Sequence, residues 1–280
     1  MKWEYVSSMA WGLLLTAVLS SCRSSAYIAK ARAIDGIMHK YESKNQPGAS
    51  VLVMKQGKIL FKKGYGITDI TTGEEIHPET NFRLASITKQ FTAMSILLLE
   101  ERGKLSLSDP ITKYFPDFPV YGHGIIIIHL LTHSSGLIDY EDLMPASQSV
   151  QLHDQDCLQL MYTTDKLYFP AGTEYRYSNT GYALLALIVE KVSSLPFAQF
   201  LKENIFFPLK MNTTVAFEEG KSGVVNRAMG HSYEEGRWKK TDQSVTSAVL
   251  GDGGIYSNGV ELSRWIDALF EHPLISPQKQ

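Results

Sequence analysis

The chain has 280 residues, 44% of them apolar and 20% charged, enough to bury one sizeable core. Its 27 basic and 29 acidic side chains leave a formal charge of −2, and without a long run of either sign there is no electrostatic footprint for nucleic acid. No apolar stretch reaches the roughly eighteen residues of an ordinary membrane span.

In chain order, the first segment is "MKWEYVSSMAWGLLLTAVLSSC". Lys2 precedes an apolar run from Met9 to Leu19, the length of a signal-peptide core and too short to span. Small residues then lead into Cys22, and the pattern resembles the lipobox of bacterial lipoproteins. That resemblance implies cleavage before Cys22, lipidation of its thiol and export to the cell envelope, with residues 1–22 as the signal peptide. The alternative is a buried helix with an incidental cysteine, since Glu4 offsets Lys2. The other cysteine, Cys157, lies in a helix-like stretch and reads as a packing residue. Two cysteines leave no disulfide framework.

Helical spacing of Ile28, Ala31, Ile34, Ile37 and Met38 predicts a helix from Tyr27 to about Glu42. "ASVLVMKQGKILFKKGYGITD" predicts a hairpin around Gln56-Gly57. A helix is expected from about Ser86 to Arg102, capped by Gly103. "IIIIHLLTHSSGL" is ambiguous between strand and helix. Two helices broken near Pro196 follow, then an irregular glycine-rich region after Val215, then a last helix in "VELSRWIDALF". A small sheet beside a helical region makes the class α+β.

Within this frame, Ser86 stands three residues before Lys89 at the head of an apolar helix. A hydroxyl needs a base before it attacks. Positions i and i+3 share a helix face, so Lys89 can take the proton or hold a second base in its anionic form. Ser-x-x-Lys alone is weak evidence, because Ser276-Pro277-Gln278-Lys279 repeats it in a polar tail. Tyr177-Ser178-Asn179 adds a second element on a loop before a helix. A phenol beside an ammonium ionises more readily, so Tyr177 suits a general base. Asn179 offers a donor and an acceptor to orient Lys89 and a substrate amide. Tyr256-Ser257-Asn258 is a rival copy that local pattern does not separate.

With "FRLASITKQFTAMSILLLEERGKLSLSDPITKYFPDFP", "IIIIHLLTHSSGL" and "YFPAGTEYRYSNTGYALLALIVEKVSSLPFAQFLKENIFFPLKMNTT" in order, the chain resembles the serine β-lactamase and penicillin-binding protein superfamily. It is most similar to the branch of class C β-lactamases, D-Ala-D-Ala carboxypeptidases and esterases. The resemblance implies a β-lactamase/transpeptidase-like fold over residues 23–280, an antiparallel sheet flanked by helices plus a helical region. By position it makes Ser86 the acylated nucleophile, Lys89 its proton-transfer partner, Tyr177 the general base and Asn179 a substrate contact, with Tyr256 structural. It implies a β-lactam, peptidoglycan-derived peptide or ester as substrate; no cofactor is expected, and the lipobox resemblance implies attachment to a membrane through the lipid.

The family's third motif, Lys or His, then Thr or Ser, then Gly, is expected after "GDGGIYSNGVELSRW" and is not found there. Lys221-Ser222-Gly223 matches literally but too early, and His133 stands one residue too far from Gly136. The expectation is therefore a chain lacking the last strands of its sheet, poorly stable by itself, or a non-catalytic envelope lipoprotein that keeps the scaffold. His129 and His133 are four apart, but no third ligand is evident, and neither a metal nor a nucleotide is predicted.

Overall fold

A computed structural model describes residues 27–277. Cys22 and Lys279 lie outside them. Helix α1 covers residues 27–38, followed by strands β1 (Ala49–Lys55) and β2 (Lys58–Tyr65). Gln56 and Gly57 have φ of 51° and 70°, the paired left-handed geometry of a two-residue hairpin turn. The ladder runs from Ala49↔Tyr65 to Lys55↔Lys58, with an irregularity between Val53 and Met54.

Strand β3 (Phe82–Arg83) leads through a 3-10 turn (Ala85–Ile87) into α2 (Thr88–Glu101). Ser86 thus belongs to the tight turn ahead of the helix, not to the helix predicted from about Ser86. Gly103 follows with φ 65°, as expected of a left-handed helix cap. The ambiguous isoleucine run holds a short helix, α3 (Ile127–Leu131). Helices α4 (Tyr140–Leu143), α5 (Asp154–Met161), α6 (Asn179–Ser193) and α7 (Phe197–Leu201) come next. Pro196 does separate α6 from α7, and α7 runs on as a π turn over Lys202–Phe206.

The region expected to be irregular contains β4 (Val215–Ala216) and a hairpin, β5 (His231–Glu234) with β6 (Arg237–Lys240). Its turn, Glu235-Gly236, again has two positive φ angles, 52° and 78°. Then come α8 (Leu250–Gly253), β7 (Ile255–Ser257) and α9 (Gly259–Glu271). Strand β7 is the centre of a three-stranded antiparallel sheet ordered β3-β7-β4, and β1-β2 and β5-β6 form separate two-stranded sheets.

The core is mainly helical. Residues Thr180 to Val189 of α6 are all buried, as are Phe91, Met94, Ile96, Leu98 and Leu99 of α2. Phe91 packs at 4.4 Å, centroid to centroid, on Trp265 of α9 and edge-on to Phe206. Cys157 is a free, buried thiol on α5, and burial pushes its pKa up. Among the described residues no single helix is long and apolar enough to cross a membrane.

Candidate active site

Ser86 is placed by the junction of β3 with α2. Leu84 N–H donates to Ile255 O at 2.8 Å, joining the end of β3 to β7. Ala85 then takes φ 47°, a left-handed conformation that costs a non-glycine residue on the order of 1 kcal/mol. This turn leaves Ser86 exposed while Lys89, one turn on, is buried at 6% exposure.

Three acceptors surround Lys89 Nζ: Asn179 Oδ1 at 2.8 Å, Asp252 O at 3.0 Å and Ser86 Oγ at 3.2 Å. An ammonium has three hydrogens and no lone pair, so this cage suits the charged amine. The Tyr177 hydroxyl donates to Ser86 Oγ at 2.7 Å. Lys89 Nζ also lies 4.8 Å from the centre of the Tyr177 ring and 5.5 Å from that of Tyr182, within cation–π range. The structure therefore brings Ser86, Lys89, Tyr177 and Asn179 together across separations of up to 93 positions.

Two segments hold Tyr177 in place. Arg176 N–H donates to His133 O at 2.9 Å, Gly172 N–H to Ser134 O at 2.8 Å and Tyr168 N–H to Gly136 O at 2.8 Å. The approach at Gly136 is so close that a β-carbon would stand 2.0 Å from Phe169 O, which only glycine avoids. The His133 ring lies 4.5 Å from the Tyr177 ring at 30°, and its Nδ1 accepts from Ser178 N–H at 3.2 Å. Burial, and then the Lys89 charge, hold His133 below the usual histidine pKa, so its neutral form is favoured and the acceptor is retained.

Asn179 opens α6. Ser178 Oγ caps the helix by accepting from Gly181 N–H, and Asp139 Oδ2 accepts from Asn179 N–H at 2.7 Å. Asn179 Nδ2 donates to Glu141 Oε1 at 3.3 Å, leaving its carbonyl to Lys89. Burial raises the Asp139 carboxyl pKa, and burial together with Asp139 raises that of Glu141.

The other sequence candidates lie elsewhere. Tyr256 is buried in β7, where its hydroxyl accepts from Arg227 at 2.9 Å and Gln243 at 2.7 Å. Lys221 pairs with Glu218 at 2.8 Å on an exposed turn. Ser276 bonds through its amide to Glu101. Among the described residues no group of three His, Cys, Asp or Glu side chains is arranged to hold a metal ion. A cleft of about 920 Å³ beside α7 and β4 is lined by none of the four clustered residues. Sequence reasoning missed His133 as a partner of Tyr177, and Asp252 as a partner of Lys89. The one available signal for His133 was its position beside the Ser-Ser-Gly turn.

A family model described as Beta-lactamase matches residues 31–280. Penicillin-binding protein 4* of Bacillus subtilis (strain 168) is 32% identical over 261 residues, which cover 88% of this chain and 57% of that protein. The chain thus spans little more than half the length of this relative. Among solved structures, an octameric penicillin-binding protein homologue from Pyrococcus abyssi superposes with a TM-score of 0.75 at 28% identity, over 90% of this chain and 58% of that one. The D-amino acid amidase from Ochrobactrum anthropi SV3, complexed with L-phenylalanine amide, gives a TM-score of 0.76 at 26% identity, over 89% and 72%.

Proposed function

Because the chain belongs to the serine β-lactamase and penicillin-binding protein superfamily, we propose that it is a serine hydrolase acting through an acyl-enzyme on an amide, β-lactam or ester carbonyl. The observation that carries this reading is the 2.7 Å contact between Tyr177 and Ser86 Oγ beside the caged Lys89 amine. In the reactive form Tyr177 is a phenolate. Ser86 gives it the hydroxyl proton as Oγ bonds to the substrate carbonyl carbon. The tetrahedral intermediate collapses, and the leaving nitrogen or oxygen takes the proton from Tyr177. Water then attacks the Ser86 ester, losing its proton to Tyr177, which returns it to Ser86 Oγ as the ester bond breaks and the acid leaves. Lys89 keeps its own proton and stabilises the phenolate, and Asn179 holds Lys89 while its amide faces the substrate.

In this reading the protein is an exported lipoprotein held at a membrane through Cys22, working on small or peptidoglycan-derived substrates. The names of its relatives, a penicillin-binding protein and an amidase, support that substrate range. The test is incubation with a fluorescent penicillin and, separately, a fluorophosphonate, with the modified residue mapped by mass spectrometry. A covalent adduct on Ser86 is expected; its absence with both reagents overturns the reading.

A further inference from the structure

Behind Lys89 lies a group of buried polar side chains to which the proposed chemistry assigns no work. Helix α8 carries Asp252, whose main-chain carbonyl accepts from Lys89 Nζ at 3.0 Å. Its carboxylate accepts from the Tyr140 hydroxyl at 2.8 Å. The turn bearing it is fixed by a second acid: Asp154 Oδ1 accepts from Gly251 N–H at 2.8 Å, and Oδ2 from Leu250 N–H at 2.9 Å. Thr92 Oγ1, one turn after Lys89 on α2, donates to Gly251 O at 2.7 Å. Gly251 itself has no spare room, since a β-carbon there would lie 2.3 Å from Tyr182 O. Four helices, α2, α4, α5 and α6, therefore meet at the short turn α8, which presents Asp252 to Lys89.

We infer that Asp252 is a positioning residue for Lys89, supplying both a fixed carbonyl acceptor and the counter-charge of its ammonium, with Asp154 holding the turn that carries it. The inference rests on the reading of Ser86 as nucleophile only for its effect on rate; the charge coupling stands apart from it.

A cation buried without an anion nearby is costly, and Lys89 is only 6% exposed. The carboxylates near the site are Asp252, Asp139 and Glu141, and the first of these lies on the same residue that ligates Nζ. Burial raises the Asp252 carboxyl to about 6, opposed by Lys89, by the Tyr140 hydrogen bond and by Arg83, while Glu141 adds to the rise. Asp154, on α5, is raised to about 7 by burial and by Asp252, against the two amide donors. The Cys157 thiol also feels both acids. Asp252 is thus an acid beside Lys89 whose charge change is moved up toward neutral pH, and part of the field at the ammonium changes with it.

Two measurements on the full chain test this. The first is a carboxyl-carbon NMR titration of aspartate-labelled protein, wild type against Lys89→Met and Tyr140→Phe. The Asp252 resonance is expected to titrate near 6 and to move up by at least half a pH unit in each variant, because each removes a group that favours the anion. The second is the rate of Ser86 modification by a fluorophosphonate between pH 5 and 9, wild type against Asp252→Asn. The isosteric amide still accepts from Tyr140, so the fold is retained. The rate at pH 7.5 is expected to fall about 10- to 100-fold, and the ionisation near 6 to vanish from the acid limb. An Asp252 titration that ignores Lys89→Met overturns the inference. So does an Asp252→Asn protein with the wild-type rate and the wild-type pH profile. If wild-type Ser86 is not modified at all, the hydrolase reading fails, and the NMR arm still decides the coupling.

Discussion

In α1 and the β1–β2 hairpin, Ile37 is 74% exposed, Ile59 43% and Leu60 42%, whereas in α6 every residue from Thr180 to Val189 is buried. Both regions are rich in aliphatic side chains, so composition does not explain the difference. It lies in what each packs against. Helix α6 contacts α2, α3, α5, α7 and α8, which close around it. Among the described residues the hairpin pairs with no third strand and is backed by α9 on β1, and a two-stranded sheet is marginal by itself. The four clustered site residues all belong to the helical body and the loops tied to it. The N-terminal unit supplies none of them, so the geometry of the site and the stability of the helical body are one matter.

That contrast is open to attack in graded ways. Ser86→Ala is expected to abolish covalent modification and to lower any turnover by about 10⁴-fold or more, while leaving the thermal midpoint near wild type. Tyr177→Phe removes one hydroxyl and is expected to lower the acylation rate by about 10²–10⁴, read by stopped-flow labelling at constant pH. Phe91→Ala cuts into the contact with Trp265 and Phe206; a loss of about 3–5 kcal/mol in urea unfolding is expected.

The next effect is a pH dependence. An acid whose folded pKa is raised binds its proton more tightly when folded than when unfolded. Its contribution to stability is therefore largest at low pH and declines as pH rises through the window between the two values. For Asp154 that window runs from 3.8 to about 7. Asp69, lowered to about 2 by Lys240, and Asp109, lowered to about 2 against burial by Lys113 and Tyr114, act in the opposite sense and only below the window. Asp154→Asn is expected to flatten the stability slope between pH 4 and 7 by on the order of 2–4 kcal/mol, measured as urea midpoints at both ends. The smallest change is Ile59→Thr on the hairpin. It is expected to shift global stability by no more than about 0.5 kcal/mol, and amide exchange in β1 and β2 is expected to precede exchange in α6. A hairpin that exchanges with α6 would merge the two regions into one cooperative unit.

The legible parts of the fold were those whose signal is local. The Gln56-Gly57 turn and the apolar run of α6 carry their structure in a few consecutive residues. Hairpin β5–β6 did not read as strands because "HSYEEGRWKK" is mostly polar and half exposed, stabilised by ladder bonds and a Tyr233–Trp238 contact. Strands β3 and β4, two residues each, exist only because β7 lies between them. At the site, Ser86-Lys89 and Tyr177-Asn179 were short patterns with equally good copies elsewhere, and family resemblance, not spacing, chose among them. Asp252 and His133 were not legible as partners. Asp252 bonds to residues 112 and 163 positions away, and His133 meets Tyr177 44 positions on. No pattern within a window links such pairs.

The left-handed Ala85 has a further consequence. The residue that arches the backbone beneath the Ser86 hydroxyl bears a methyl group where glycine would fit without strain. Glycine there would relax the arch and also widen the range of directions in which the oxygen can point. The methyl narrows that range, so the arch behaves as a stiff spring under a single atom: local comfort is given up for aim.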